Sequence, residues 1–217
     1  MIGKVNCCLL LTVLMFTVYP AQAQQPAKIP RIGFLSPSSA NSRRAEREAF
    51  WQGMRELGYI EGHNIVVEYR YAGGQFDKLP ELAGELVRLR VDVIVAHTTP
   101  GALAAKRATT TIPIVMTNAG DPVGSSLVAG LARPGGNITG LSMLNIELGG
   151  KRVELLREVV PELSRVFVLW NPGNHGNALI ISNTEAIAGA LGIRIRSLEV
   201  RAARDLESAF GAIEGSR

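Results

Sequence analysis

Cysteine and histidine are both scarce in this sequence of 217 residues. The two cysteines, Cys7 and Cys8, lie in an apolar stretch at the start that has the character of an export signal. We therefore expect the exported protein to have no cysteine, which excludes disulfides, zinc–thiolate sites and a cysteine nucleophile from it. The three histidines have no metal-ligand spacing, so we predict no metal site.

Motifs of common enzymes are also missing. The sequence has no Gly-x-Ser-x-Gly turn that would expose a nucleophilic serine, and no Gly-x-x-x-x-Gly-Lys-Ser/Thr phosphate loop. The glycine-rich run Gly135–Gly140 precedes a predicted strand, which favours a turn over a dinucleotide-binding loop. We predict that the protein is not an enzyme, has no catalytic residues and uses no cofactor. The alternative, an exported α/β hydrolase, would need a general base beside Ser36, Ser38 or Thr98, and the sequence indicates none.

The sequence also lacks a large excess of basic or of acidic residues. The chain has 23 Lys and Arg against 19 Asp and Glu, a formal net charge of +4. Basic and acidic residues alternate along the sequence, and no run of Lys or Arg resembles the basic patch that binds nucleic acid. We therefore predict no nucleic-acid partner.

The long apolar run of the chain lies at its start. Lys4 is followed by the apolar run Val5–Val18 and then by Ala21-Gln22-Ala23, an order that is typical of a secretory signal. The run is shorter than the ~20 apolar residues that span a bilayer. We predict a signal peptide at residues 1–23, cleaved after Ala23, a linker at residues 24–30, and a periplasmic location.

The remaining sequence alternates short β-branched runs with amphipathic stretches, which predicts α/β architecture with parallel sheets flanked by helices. The pattern restarts near Ser142, so we predict two Rossmann-like lobes: an N-terminal lobe at 31–143 and a partial C-terminal lobe at 144–217. One continuous doubly wound sheet is the alternative. The predicted strands are 32–35, 65–69, 91–95, 112–116, 138–143, 166–170 and 193–200, and the predicted helices are 43–57, 77–89, 100–108, 121–131, 147–160, 178–191 and 205–213.

Four of these helices have a residue at their start that is suited to capping. Ser42 and Asp77 precede the first two helices. Thr99 and Asp121 precede the next two, and each is followed by a proline at the predicted first helical position.

The chain is unusually polar where its predicted strands end. Ligands of parallel α/β sheets bind beyond these ends, where the N–H groups and dipoles of the following helices favour a small anion. Hydroxyl groups would add hydrogen bonds, Asp121 would balance an ammonium group, and Trp170 would form an apolar wall. We predict a site for a zwitterion such as an amino acid; the alternative is that each residue is an ordinary helix cap. The predicted ligand-binding residues are Ser36, Ser38, His97, Thr98, Thr99, Gly101, Asn118, Asp121, Trp170 and Asn171.

Five segments resemble the exported solute-binding proteins of ABC transporters, in particular the group with tryptophan- and tyrosine-binding members. Two of them are specific: Leu57-Gly58-Tyr59-Ile60-Glu61-Gly62-His63-Asn64-Ile65 with Glu68–Arg70, and Leu131–Gly140. The segments together cover most of the chain between Arg31 and Pro172. They are Arg31–Leu35, Leu57–Ile65 with Glu68–Arg70, Val91–Val95 with Ala104–Ala108, Leu131–Gly140, and Lys151–Leu156 with Val168–Pro172.

This resemblance implies a type I periplasmic-binding fold, in which two lobes joined by three crossover strands trap a ligand by hinge closure. By that likeness the loops 36–39, 98–101 and 118–121 form the first lobe's half of the site, and 171–174 belong to the second lobe. The segment 141–145 would be the first crossover. His97 departs from the family pattern, since a small residue is more usual there.

The resemblance also implies a function. The protein would deliver an amino acid or similar solute to an ABC permease in the inner membrane. Two alternatives remain at this stage: a ligand-sensing module for a membrane receptor, and a truncated remnant that no longer binds. Family members continue well beyond residue 217, so we expect an incomplete second lobe and weak or absent affinity for the ligand.

Overall fold

The computed structural model describes residues 28–143 and 145–215. The predicted signal peptide therefore lies outside the described residues, as does the linker up to residue 27. The strands are β1 (Arg31–Ser36), β2 (Val66–Tyr71), β3 (Val93–His97), β4 (Ile114–Gly120), β5 (Ile138–Met143), β6 (Arg165–Trp170) and β7 (Arg194–Glu199). The helices are α1 (Arg44–Glu56), α2 (Leu79–Arg88), α3 (Thr98–Ala108), α4 (Asn145–Val159), α5 (His175–Ala190) and α6 (Asp205–Glu214).

The strands form two separate parallel sheets. A five-stranded sheet has the order β2-β1-β3-β4-β5, and a two-stranded sheet pairs β6 with β7. We call the first sheet with α1 to α3 the first lobe, and the second sheet with α4 to α6 the second lobe. The predicted α/β class is confirmed, and the alternative of one continuous sheet is wrong.

Helices cover the two faces of the first sheet unequally. Leu86 of α2 packs so closely on β1 that a methyl group added at Gly33 would lie 2.9 Å from it. On this face the fully buried Leu35, Ile94 and Ile114 form the centre of the core. The opposite face carries α1, whose Phe50 packs against Phe34 of β1. Central strands with apolar side chains on both faces are expected where helices cover both sides.

Ser42 and Asp77 do not cap the two helices that they were predicted to cap. The Ser42 hydroxyl donates to the Ser39 carbonyl at 2.9 Å, and α1 begins two residues later without a side-chain cap. Asp77 lies in a short 3₁₀ turn (Phe76–Lys78) that leads into α2, which also begins without a side-chain cap. In this turn the Lys78 N–H donates to the Gln75 carbonyl and the Leu79 N–H to the Phe76 carbonyl, so backbone i→i+3 bonds take the place of a side-chain cap.

The helix predicted at 121–131 is also wrong, since the segment is a series of turns. The Asp121 carboxylate accepts from the Gly124 N–H at 2.8 Å, and Ser126 has a φ of 58°. A residue in the left-handed region interrupts the i→i+4 ladder, and the glycines of this segment lower its helix propensity further.

The second lobe has a smaller core. Val153 of α4, Ala188 of α5 and the nearby Ile193 form its buried centre, and α4 packs along α5. Other apolar side chains of α4 stay open to solvent, with Val159 79% exposed. None of the helices in the described part of the chain is both long and apolar enough to cross a membrane.

The two lobes touch where β6 is followed by α5. A methyl group added at Gly173 would lie 2.6 Å from Cδ2 of Phe76, and one at Gly176 would lie 3.2 Å from Oγ1 of Thr99. The absence of side chains at these two positions therefore allows the second lobe to approach the first at the carboxyl ends of its strands.

Candidate functional site

Three of the predicted ligand-binding residues adopt backbone conformations that are rare outside glycine. The φ angles of Thr98, Asn118 and Asp121 are 63°, 58° and 37°. Thr98 is the clearest outlier because its side chain is β-branched; its hydroxyl donates to the His97 carbonyl at 2.6 Å. Backbone strain of this kind costs stability and tends to collect at ligand sites. The clustering of the three residues at the ends of β3 and β4 therefore supports a functional role for this edge of the first sheet.

A cavity of about 360 Å³ lies between α1 and the ends of the central strands. We call it the α1 cavity. Three of the predicted residues, Ser36, His97 and Asn118, line it together. Its other lining residues are Phe34, Arg43, Glu46, Arg47, Phe50, Tyr71, Val95 and Thr117.

One wall of the α1 cavity is aromatic. The ring of Phe34 has its centroid 6.4 Å from that of Phe50 and 6.1 Å from that of Tyr71. Tyr71 stacks on Tyr69 at 5.9 Å, and Trp51 donates from Nε1 to the Tyr69 hydroxyl at 2.7 Å. Burial raises the pKa of Tyr69 to about 12. Aromatic side chains packed in this way form a rigid apolar surface suited to a ring.

The mouth of the α1 cavity is charged. Arg43 forms an ion pair with Glu46 at 2.8 Å, and their side chains are 37% and 57% exposed. The hydrogen bond from Arg43 lowers the pKa of Glu46 below its usual range. Arg47 donates to the carbonyl of Ala40 at 2.8 Å and reaches the Tyr71 hydroxyl at 3.4 Å. Two cations and one carboxylate give this mouth a positive balance, which favours a carboxylate-bearing ligand.

His97 lies at the inner end of the same cavity and is 8% exposed. Its Nδ1 lies 3.1 Å from the Thr117 hydroxyl, whereas its Nε2 is buried and has no hydrogen-bond partner among the described residues. Burial lowers the pKa of His97, and the nearby charge of Arg43 lowers it further, against an opposing effect of Glu46. The imidazole is therefore neutral at pH 7.

We expect this buried histidine to make stability depend on pH. Its ordinary pKa is about 6.5, so below that pH the unfolded chain takes up a proton that the native state resists. Stability present above pH 6.5 is then lost as the pH falls from there towards the lowered native pKa. Urea denaturation at several pH values between 7.5 and 5.5 measures this loss. His97→Gln should reduce it and His63→Gln, at an exposed position, should not; an unchanged slope in His97→Gln would contradict the assignment.

A second cavity, of about 500 Å³, lies between the two lobes. We call it the interlobe cleft. Asn171 is the predicted residue that lines it, and this side chain organises the loop after β6: Oδ1 accepts from the Gly173 N–H at 2.9 Å and Nδ2 donates to the Arg201 carbonyl at 3.1 Å. The structure thus places three of the predicted residues in the α1 cavity and a fourth in the interlobe cleft. The first lobe contributes Gly74, Gln75, Phe76, Asp77, Leu79, Pro80, Pro100, Leu103, Ala104 and Arg107 to the cleft, and the second contributes Asn171, Gly173, His175 and Arg201.

The polar groups of Thr99 and Asp121 are also engaged by the fold. Thr99 lies inside the first turn of α3, so the prediction that it caps this helix is wrong. Its buried hydroxyl instead donates to the Gly120 carbonyl and accepts from the Gly120 N–H, both at 3.1 Å. This pair of bonds ties α3 to β4. The Asp121 carboxylate is held by the turn described above.

The remaining predicted residues, Ser38, Gly101 and Trp170, lie near the carboxyl ends of β1 and β6. The Ser38 N–H donates to the Ser36 hydroxyl at 3.3 Å. Gly101 is buried in α3, close to β1. Trp170 ends β6, and its buried Nε1 has no partner among the described residues. Within residues 28–143 and 145–215, no group of three or more His, Cys, Asp or Glu side chains lies close enough to hold a metal ion.

Sequence reasoning missed the aromatic and cationic walls of the α1 cavity. Arg43, Arg47 and Phe50 are spaced by four and three residues, which places them on one face of a helix. Phe34 and Ser36 alternate on β1, which places both on one face of the sheet. Both spacings can be read from the sequence. They do not show which helix face packs on which sheet face, because that depends on packing between segments that are distant in sequence.

The fold is that of a type I periplasmic-binding protein. The model of the family described as ABC transporter substrate binding protein matches residues 31–216, and the chain belongs to this family.

Three relatives illustrate the similarity. A protein called tyrosine-binding protein, from Clostridioides difficile (strain R20291), is 28% identical over 170 residues, which are 78% of this chain and 48% of that protein. The structure of a conserved domain protein from Vibrio cholerae is 33% identical with a TM-score of 0.78, covering 86% of this chain and 62% of that chain. The structure of an ABC domain in complex with L-Trp from Streptococcus pneumonia is 25% identical with a TM-score of 0.75, covering 85% and 61%. The chain thus spans about half the length of the curated relative it matches.

Proposed function

We propose that this protein is the solute-binding component of an ABC importer, and that it works in the periplasm after removal of residues 1–23. In this proposal it binds a small organic solute, an amino acid, and presents it to an ABC permease in the inner membrane. Its domains are the N-terminal lobe 31–143 and the partial C-terminal lobe 144–217. It carries out no catalysis. The observation that carries the proposal is the α1 cavity, which combines an aromatic wall with charged groups of both signs.

The chemistry of the α1 cavity suits an aromatic amino acid. The guanidinium groups of Arg43 and Arg47 would attract the carboxylate, and the carboxylate of Glu46 would balance the ammonium group. The side-chain ring would then lie against Phe34 and Phe50. Two relatives support the choice of ligand class, since one is called tyrosine-binding and another was solved with L-Trp.

The second lobe would contribute by closing over the site. Gly176 already lies against Thr99, two residues from His97 of the α1 cavity. A ligand that contacts both lobes binds the closed state better than the open one, and so it shifts the population towards closure. The closed state would then be the form that the permease recognises.

Direct titration of a chain of residues 24–217 tests this proposal. We expect L-tyrosine, L-tryptophan and L-phenylalanine to bind with dissociation constants on the order of 100 μM or below, because the α1 cavity is built from the first lobe alone. L-Leucine, which has no ring, and L-lysine, whose side-chain ammonium would lose its hydration against the apolar wall, should bind at least about tenfold more weakly. Isothermal titration calorimetry measures all five. A folded chain that binds none of the aromatic amino acids would favour the non-binding remnant instead.

A further inference from the structure

We propose that three arginines of the second lobe, Arg165, Arg194 and Arg196, form a binding site for a phosphate group. The site is separate from the α1 cavity and from the interlobe cleft, and it does not depend on the function proposed above. The phosphate group comes from one of two sources, free inorganic phosphate or the headgroup of a phospholipid, and the test below distinguishes them.

A cavity of about 600 Å³ lies at the start of the second sheet, and we call it the arginine cavity. All three arginines line it, together with one carboxylate residue, Glu185 of α5; the other lining residues are Gly189, Ile193 and Ile195. Arg165 and Arg194 are the first residues of β6 and β7, whereas the interlobe cleft includes the loop that follows the carboxyl end of β6. The arginine cavity therefore lies at the opposite end of the second sheet, and three cations against one carboxylate give it a positive balance.

The sheet register brings the arginines together. Arg165 is paired with Arg194 across two parallel strands, so their Cα atoms lie about 5 Å apart and their side chains lie on the same face. Arg196 is two residues further along β7 and therefore lies on that face as well. Three long cationic side chains thus share one small area of the sheet, although the sequence contains no run of basic residues there.

The three arginines lack the ion pairs that other arginines of the chain form. Arg43 pairs with Glu46 at 2.8 Å, and Arg201 pairs with Glu199 at 3.0 Å. Within residues 28–143 and 145–215, none of the three arginines of the cavity forms an ion pair with a carboxylate. Like charges that lie directly opposite each other in a sheet destabilise it. An anion bound between them removes this repulsion, so anion binding should also stabilise the fold.

A phosphate group fits this arrangement better than a carboxylate does. A guanidinium group is a planar fork that bonds to two oxygens of one anion. A phosphate group presents three acceptor oxygens, so several guanidinium groups can bind it from different sides, whereas a carboxylate has only two oxygens in one plane. Arg165 is already oriented, since its Cζ lies 5.4 Å from the centroid of the Phe167 ring. A donor that is held in place loses little entropy when it binds.

Isothermal titration calorimetry of sodium phosphate into the chain of residues 24–217, at low ionic strength, tests the site directly. We expect a dissociation constant on the order of 1 mM or below. Arg194→Gln and Arg196→Gln each remove one guanidinium group and should weaken phosphate binding at least about tenfold. Arg55→Gln removes the same charge at an exposed position outside this cavity and should leave binding within about twofold of the wild type.

Two further measurements distinguish a ligand site from damage to the fold. Glu185→Gln removes the one carboxylate of the cavity and should tighten phosphate binding at least about threefold, a gain that a damaged fold would not produce. Phosphate should raise the melting temperature of the wild type and of Arg55→Gln more than that of Arg194→Gln. Without phosphate, Arg194→Gln should melt no lower than the wild type, because it removes the repulsion from Arg165.

Vesicles distinguish the two sources of the phosphate group. The chain of residues 24–217 is sedimented with vesicles of phosphatidylcholine and with vesicles of phosphatidylglycerol and phosphatidylcholine in equal parts. Residues 1–23 are left out because their apolar run would itself associate with lipid. Retention on the anionic vesicles alone, lost in Arg194→Gln, identifies a lipid headgroup, which would hold the protein at an anionic membrane surface. Phosphate binding without retention on vesicles identifies free phosphate.

The inference is overturned in two ways. Either the wild type binds neither inorganic phosphate nor the anionic vesicles, or Arg194→Gln and Arg196→Gln bind them as the wild type does. In both cases the three arginines are only a solvated basic face. Neither result bears on the amino-acid binding proposed for the α1 cavity, because the arginine cavity shares no residue with it.

Discussion

Replacing Gly140 with alanine should destabilise the chain by about 4 kcal/mol or more, which is most of the stability of a marginally stable domain. Gly140 lies in β5 with a φ of 141°, a conformation that residues with a side chain rarely adopt. A methyl group at this position would lie 2.0 Å from the backbone oxygen of Met116 and 2.7 Å from its nitrogen. Both atoms belong to the neighbouring strand, so relief of the clash requires that β4 and β5 separate.

The local register explains why glycine is needed there. Met116 is paired with Gly140, and the register between β4 and β5 shifts immediately afterwards. Such irregularities bring backbones unusually close and are often built around glycine. Since β5 is also the strand that leads to the predicted first crossover, a disruption here would affect the connection between the lobes as well as the first sheet.

Thermal denaturation followed by circular dichroism measures the effect. The matched control is Gly53→Ala in α1, where nothing lies within 4 Å of the added methyl group. Alanine is the better helix former, so this variant should gain up to about 1 kcal/mol. A Gly140→Ala melting temperature within experimental error of the wild type would show that the close approach of β5 to β4 is not as described.

Replacing Val95 with phenylalanine should lower the affinity for aromatic amino acids at least about 100-fold, because the added ring fills the α1 cavity where the solute ring would lie. Val95 is 7% exposed and lines this cavity from β3. Overpacking usually costs about 1 to 3 kcal/mol, but here an existing cavity of about 360 Å³ receives most of the added volume. The variant should therefore remain folded.

The sheet offers a matched control for this variant. Val115 of β4 is paired with Val95 in the parallel register, so both side chains lie on the same face, but Val115 does not line the α1 cavity. Val115→Phe makes the same chemical change one strand away and should leave affinity within about threefold of the wild type. Calorimetry on both variants, with melting curves to establish folding, measures the contrast. Unchanged binding in Val95→Phe would place the solute elsewhere, with the interlobe cleft as the next candidate.

Much of the fold could be predicted from the sequence. The central strands β1 and β3 are short apolar runs, and the order of strands and helices already indicated parallel sheets. The errors occurred where local signals compete. Asp121 followed by Pro122 is typical of a helix start. In the structure, however, the Asp121 carboxylate accepts a hydrogen bond from the Gly124 N–H, and Ser126 has a left-handed φ that a continuing helix does not allow. Thr99 likewise has the residue type of a cap, yet its hydroxyl bonds to Gly120, which is 21 residues away.

The candidate site was predictable only in part. Ser36, His97 and Asn118 were predicted from their positions at strand ends, and they do line one cavity. Asn171 was predicted to join them, but it lines the interlobe cleft. The aromatic wall was not predicted, because Phe50 belongs to a helix whose contact with Phe34 depends on the angle at which α1 crosses the sheet.

The sequence by itself determined the fold class, because alternating apolar and amphipathic segments require parallel sheets covered by helices. Parallel strands all point the same way, so their polar ends lie along one edge of the sheet. The tertiary structure decided which of those polar groups remain available to a ligand. Thr99 and Asp121 are satisfied by backbone groups of β4 and of the turn after it, whereas Ser36, His97 and Asn118 line the α1 cavity. The reason is physical: hydrogen-bond partners and cavities arise from segments that are distant in sequence, and only packing brings those segments together.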